Sequence, residues 1–430
     1  MSKVDVLLGL QWGDEGKGKV VDVLAPDYDV VARFQGGPNA GHTLVLNGKK
    51  HVLHCLPSGI FQENTMNLIG NGMVLDPVLL RDEINEVSSS ASDVVQRLII
   101  AQKTHLILPT HRLLDAAYEK KKGKQAIGST LRGIGPTYTD KVARRGLRVG
   151  DIHSSDFDKK LDKLTTEHHE LLKWLDYDVS FEKEMKEWLS AIEVLRSIKL
   201  VDDSYFIHQQ LQAGKRVLAE GAQGTLLDIS YGSYPFVTSS HTISGGVCTG
   251  LGVAPNQIGK VFGVFKAYCT RVGSGPFPTE LFDKTGEKIQ KNGKEFGATT
   301  GRERRCGWLD LVALKYACMI NGVDELFMMK GDVLSGFERL SVATNYLDAD
   351  GEAIAGVPFD FADETVTPRY DELDGWSEDV SGLSHWSDLP KQFHDYVAFI
   401  EDKLDTPVSI ASVGPDREQT IKREMDNEYK

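Results

Sequence analysis

Gln11-Trp12-Gly13-Asp14-Glu15-Gly16-Lys17-Gly18-Lys19 is a glycine-rich turn between two apolar runs, and its reading decides the fold. Before it, Val4 to Leu10 reads as a buried strand; after it, Val20-Val21-Asp22-Val23-Leu24 reads as the start of a helix. Phosphate binds at such junctions. Backbone N–H groups converge there, the helix dipole adds positive potential, and glycines let the main chain come close. Gly13, Gly18 and Lys19 match the G-x-x-x-x-G-K part of the P-loop pattern, but Val20 stands where a magnesium-binding hydroxyl is expected. Asp14 and Glu15 put two carboxylates into an anion loop, so they must hold magnesium or accept a proton. The alternative is a solvated turn with scattered charges.

Working outward, short apolar runs recur between glycine turns: Val30 to Phe34, Leu68-Ile69, Arg97 to Ile100, Arg216 to Ala219, Val261 to Phe265 and Val408 to Ala411. They read as parallel strands with helical crossovers. The expected fold is α/β, with a P-loop-like, mostly parallel central sheet flanked by helices and carrying helical and loop insertions. Residues 1–430 read as one domain, although length alone suggests about three. Within it, 153–200 reads as an amphipathic helical insertion and 341–393 as an acidic, turn-rich surface excursion.

Composition narrows the function. The 430 residues hold 49 Lys and Arg against 62 Asp and Glu, a net charge of −13, which argues against nucleic acid or anionic membrane as partner. An anionic ligand therefore needs a local cationic cluster. The five cysteines are scattered without a C-x-x-C, which indicates neither a disulfide framework nor a zinc site. The N-terminus lacks the look of a signal peptide, and a cytoplasmic location is expected.

Further stretches carry chemistry. Gln35-Gly36-Gly37-Pro38-Asn39-Ala40-Gly41-His42-Thr43 follows a strand and places a histidine where open α/β sheets bind ligands. Gly128 to Arg148 sets hydroxyls before glycines and then four cations, Lys141, Arg144, Arg145 and Arg148, making an anion site in an acidic protein. Glu220 to Thr225 and Gly232 to Ser240 are hydroxyl-rich loops in which Gln223 offers a purine edge one donor and one acceptor. Gly297 to Trp308 holds Arg302, Arg304 and Arg305, forks suited to a carboxylate or a phosphate, with Thr299 and Thr300, which can donate to a carboxylate. Met328-Met329-Lys330-Gly331-Asp332 spaces lysine and aspartate as guanine-binding loops do, and Ser412-Val413-Gly414 is a turn that could close over the base.

In this order the stretches resemble the adenylosuccinate synthetase family, from Leu8 to Arg417. Ser230, His241 and Asp374 depart from the family pattern, at positions outside the chemistry. The resemblance implies GTP-dependent joining of IMP and L-aspartate through a 6-phosphoryl intermediate. Asp14 would be the base and His42 the acid, with one magnesium ion on Asp14 and the Gly41 carbonyl. IMP would meet Asp14, Lys17, Asn39, Ala40, Gly41, Thr130, Gln223, Thr238 and Arg302, with Arg144 reaching across from a second subunit of a homodimer. Aspartate would meet Ala298, Thr299, Thr300, Gly301, Arg302 and Arg304. GTP would meet Gly13, Glu15, Gly16, Lys17, Gly18, Lys19, Gly41, His42, Thr43, Arg304, Lys330, Gly331, Asp332, Ser412, Val413 and Gly414. A GTP-dependent switch accounts for the loop at 13–19 and for Lys330 and Asp332 while leaving the arginine loop unexplained. A ligase acting on another oxygen accounts for more.

Overall fold

Val6 to Gly9 are all buried, as an uninterrupted apolar run requires of a strand covered on both faces. The structure is a computed structural model that describes residues 2–46, 48–123, 126–177, 179–297, 301–362 and 366–424. Its core is a ten-stranded sheet. In chain order the strands are β1 (Val4–Gly9), β2 (Val30–Arg33), β3 (Met66–Ile69), β4 (Leu98–Ala101), β5 (Lys199–Val201), β6 (Val217–Glu220), β7 (Ile258–Lys266), β8 (Glu325–Met329), β9 (Val408–Ser412) and β10 (Thr420–Lys422). Their spatial order is β10-β9-β8-β7-β1-β6-β2-β3-β4-β5. Each neighbouring pair is parallel except β9 with β10. The expected α/β sheet is what forms.

Alternation assigns the two faces. Leu7, Val31 and Leu218 point to one side, where Val20 and Val21 of helix α1 (Lys17–Leu24) cover them. Val6, Leu8, Ala32 and Ala219 point to the other and join the main core with Val247 and Leu251. Helices α2 (Pro109–Lys122) and α3 (Ile134–Ala143) follow β4, and the hydroxyl-and-cation stretch starts between them and runs through α3. Within 153–200 lie α4 (Phe157–Trp174) and α5 (Glu182–Arg196), and the last residues of that segment enter edge strand β5. Phe157, Leu161, Leu164 and Trp188 pack into a second core under β3 and β4, so these helices are seated on the sheet. Among the described residues no helix is long and apolar enough to cross a membrane.

The segment 341–393 differs from a solvated excursion. The strand Arg339–Leu347 pairs antiparallel with Thr367–Asp374 and buries Leu340, Val342 and Tyr346. A register shift between Ala343 and Asn345 interrupts the alternation, and the acids on the outer face conceal the pattern in the sequence. Trp376, fully buried, lies against Phe393 and Tyr396 at ring-centroid distances of 4.9 and 5.9 Å. Trp376→Ala is expected to cost about 3–5 kcal/mol in chemical denaturation. A cost below about 1 kcal/mol would place this segment outside the core.

Candidate active site

Strand order reverses around β1, which lies between β6 and β7, and ligands of open α/β sheets bind at the carboxyl ends beside such a point. The turns after β1, β2, β6, β8 and β9 carry Asp14, Asn39, Gln223, Lys330 and Gly414 respectively. A groove of about 610 Å³ at the opposite, amino ends is lined by Asp5, Tyr28, Arg216, Lys260, Glu325 and Arg423, none of them expected at a site.

In the phosphate-type turn, Glu15 is folded inward and fully buried. Its Oε1 accepts the N–H groups of Gln11 and Gly13 at 3.1 and 2.9 Å, and Lys17 Nζ donates to Oε2. The carboxylate fills the slot between Gly9 and Gly224, where an added Cβ would lie within about 2.5 Å of it. Any contact of Glu15 with nucleotide is thereby left to its backbone. Asp14 faces the cleft, its side chain 35% exposed and its backbone left-handed at φ 59°. Lys19 also turns away from the loop: Nζ donates to Ser412 Oγ and the Gly414 carbonyl, both at 2.8 Å, and to the Gln419 carbonyl at 3.0 Å. Burial draws its ammonium down to about 8. It therefore fastens α1 to the 412–419 turn.

His42 begins the strand His42–Leu46 and packs against α1 at Gly18, where a Cβ would come within 2.7 Å of its own. Its Nδ1 meets Glu220 Oε1 at 2.6 Å, and Ser58 holds the same carboxylate through its backbone N–H and hydroxyl. Nε2 is buried without a partner. Burial draws the imidazole below its ordinary range although Glu220 pulls the other way. Nearby, the Gln223 amide has no partner at either end, and Asn39 leaves Oδ1 free while its Nδ2 donates to Thr238 Oγ1 at 3.3 Å. Unpaired buried polar atoms are costly and mark places where a ligand completes the bonding.

The arginine and lysine stretches converge on Glu295, a fully buried carboxylate. It accepts from Lys266 Nζ at 3.1 and 3.2 Å, Tyr268 Oη at 2.5 Å, Arg304 Nη1 at 2.6 Å and Lys330 Nζ at 2.6 Å. Arg304 also spans to Asp14, with Nε 2.8 Å from Oδ2. Burial would raise the Asp14 carboxyl, but Arg304, Lys266 and Lys17 outweigh it and hold the group below the carboxylate range. Asp332 has one buried oxygen without a partner, and burial raises its carboxyl. The structure thus brings together Asp14, Lys17, Arg304 and Lys330, with His42, Asn39, Gln223 and Thr238 on adjoining turns. Arg302 donates to the Gly128 carbonyl at 3.4 Å, beside exposed Thr130. Ala298, Thr299 and Thr300 lie outside the described residues.

Glu220, Ser58, Lys266 and Glu295 were missing from the expected set. Glu220 and Lys266 each close a strand of apolar neighbours, a position where a charge needs a partner; Ser58 and Glu295 carry no comparable sequence signal.

Fold and site together define a class: an α/β enzyme with a P-loop-like turn and a cation-lined cleft at the carboxyl ends of a doubly wound sheet. The chain belongs to the adenylosuccinate synthetase family, whose model, described as Adenylosuccinate synthetase, matches residues 6–421. Relatives of that name include one from Christiangramia forsetii, 57% identical over 98% of this chain and 100% of its own length. Another, from Cytophaga hutchinsonii, is 59% identical over 97% of each chain. The structure of fully ligated adenylosuccinate synthetase from Plasmodium falciparum matches with a TM-score of 0.92 at 38% identity, covering 98% of this chain and 100% of that one. Membership makes the chain a ligase of purine nucleotide biosynthesis, at the step from IMP to adenylosuccinate, in a family that uses GTP as co-substrate.

Glu220→Gln removes the charge that favours the His42 imidazolium, so the alkaline limb of kcat is expected to move to lower pH. Turnover at mildly alkaline pH should fall roughly tenfold or more. A pH profile with the limb unmoved would take the pair out of the chemistry.

Proposed function

We propose that this chain joins IMP to L-aspartate with cleavage of GTP to GDP and phosphate, through 6-phosphoryl-IMP. The observation that carries this is the 2.8 Å contact of Arg304 with Asp14, which links the phosphate turn to the carboxylate-recognising loop. A nucleotide switch has no use for that second loop at the phosphate turn.

The 6-oxygen of hypoxanthine is a poor nucleophile while N1 keeps its proton, so a base must remove it as the oxygen attacks the γ-phosphoryl. Asp14 takes that proton. While Arg304 holds Asp14 the carboxylate is a weak base; a substrate carboxylate competing for the guanidinium raises its basicity. GDP departs, the aspartate amine attacks C6, and phosphate leaves. His42, its Nδ1 fixed by Glu220, presents Nε2 to the phosphoryl oxygens and, charged as the imidazolium that those oxygens favour, delivers the Nε2 proton to the leaving phosphate. Asn39, Gln223 and Thr238 hold IMP with Thr130 and Arg302, and Arg144 completes the site from the second subunit of a homodimer. Lys330 and Asp332 frame guanine with the Ser412–Gly414 turn, for which Lys330 must exchange Glu295 for the base.

Magnesium would be held by the Asp14 carboxylate and the Gly41 carbonyl. These are hard oxygen donors of the kind the ion prefers, and Asp14 is open to the cleft. When bound, the ion neutralises phosphate charge.

Ultraviolet absorbance of IMP, followed with GTP, magnesium and aspartate and with each omitted in turn, tests the whole. Absorbance should change only in the complete mixture. GTP hydrolysis indifferent to IMP and aspartate would establish the switch instead. Asp14→Asn should fold normally and lose on the order of 10² to 10⁴ in turnover, and near-normal turnover would remove Asp14 as base. Asp332→Asn should relax the preference for GTP over the inosine and xanthine triphosphates; an unchanged preference in competition assays would place the base elsewhere.

A further inference from the structure

A second buried polar cluster takes no part in the chemistry above. His111 of α2, Asp140 of α3 and His168 of α4 are all buried. Asp140 Oδ2 accepts from Nε2 of both histidines, at 2.9 and 2.8 Å, and Oδ1 accepts from Arg145 Nε at 2.6 Å. These are ligand types that a metal ion can take, and here both imidazoles meet the one carboxylate oxygen through hydrogen bonds. The Leu108 N–H donates to His111 Nδ1 at 2.9 Å, so the ring's own proton sits on Nε2, facing Asp140. Burial draws His111 down to about 4, which keeps the ring neutral.

Asp140 organises the turn that follows it. Its backbone carbonyl accepts the N–H groups of Arg145 and Gly146 at 3.1 and 3.3 Å, while Arg144 N–H reaches the Lys141 carbonyl at 3.2 Å. Arg144 is thereby exposed in the left-handed region at φ 63°, a conformation that a non-glycine residue keeps only when its surroundings impose it. The same face of α2 holds the loop before α3. Asp115, one turn beyond His111, accepts from Ser129 Oγ at 2.7 Å and Gly133 N at 2.9 Å. Glu119, a turn further, accepts from Gly128 N and Ser129 N at 2.9 and 3.1 Å. The third support comes from the helical insertion. His168 meets Thr110 Oγ1 at 2.7 Å through its other nitrogen and so ties α4 to both α2 and Asp140.

We infer that Asp140 and His168 are positioning residues for Arg144: the helical insertion braces the last turn of α3 so that the guanidinium projects at the angle needed by the neighbouring subunit. This rests on the role proposed for Arg144 and extends it to residues that touch no substrate.

The test is steady-state kinetics on the full chain for His168→Gln, Arg144→Ala and the double variant, with Ile192→Ala as control. Ile192 is a buried residue of α5 in the core of the same insertion. His168→Gln should raise KM for IMP roughly 3- to 30-fold, leaving KM for GTP unchanged and kcat within about twofold. In the Arg144→Ala background it should add nothing, the signature of residues acting as one unit. Ile192→Ala should lower the melting midpoint without moving KM for IMP. Thr110→Val removes one partner of His168 at constant volume and should shift KM the same way by less, which covers failure of His168→Gln to fold. Additive effects of His168→Gln and Arg144→Ala, an unmoved KM in His168→Gln, or an equal shift in Ile192→Ala would overturn the brace while leaving the Arg144 assignment intact. An unchanged KM for IMP in Arg144→Ala alone would overturn that assignment, and the brace with it.

Discussion

The placement of β1 between β6 and β7 is the constraint on which the site depends. The chain builds the sheet outward through β2 to β5, returns to insert β6 beside β1, and only then builds the other half from β7. Because all but the last strand run parallel, the turns that leave their carboxyl ends open on one rim. Asp14, His42, Gln223, Lys330 and Gly414 are far apart in sequence and share that rim for this reason alone. No side-chain interaction could gather them if β6 paired elsewhere.

On this frame, four cations of an acidic protein, Lys17, Lys266, Arg304 and Lys330, are matched by carboxylates. Glu15 holds Lys17, Glu295 holds Lys266, Arg304 and Lys330, and Asp14 takes the remaining side of Arg304. Burying unpaired charge is prohibitive, so carboxylates stand where anionic ligands are expected to bind. On the proposed function, substrate binding is an exchange of partners, in which the groups that lose a carboxylate gain a phosphate or a substrate carboxyl.

Much of this was legible in the sequence, for definable reasons. The strands of the parallel sheet are continuous apolar runs, and the turns between them hold glycines that only a few geometries explain. The loop at 11–19 reads as a phosphate-type turn, and its letters do not tell where two of its side chains go. Glu15 turns inward to the Gly13 N–H and Lys17, and Lys19 turns toward Ser412. Glu295 was silent: a buried charge is identified by its partners, and these meet only after folding. The strand at Arg339–Leu347 was missed because its register shift breaks the two-residue period by which strands are recognised.

The Lys19 tether has one more consequence. Three acceptors from the 412–419 turn converge on a single ammonium at the base of α1, so that turn and the phosphate turn are bolted to each other across the sheet. Their separation, set by the sheet, is reinforced by one side chain. On the proposed function, with guanine at the 412–414 turn and phosphate at the 13–19 loop, the tether makes the cleft a ruler for the length of a nucleotide.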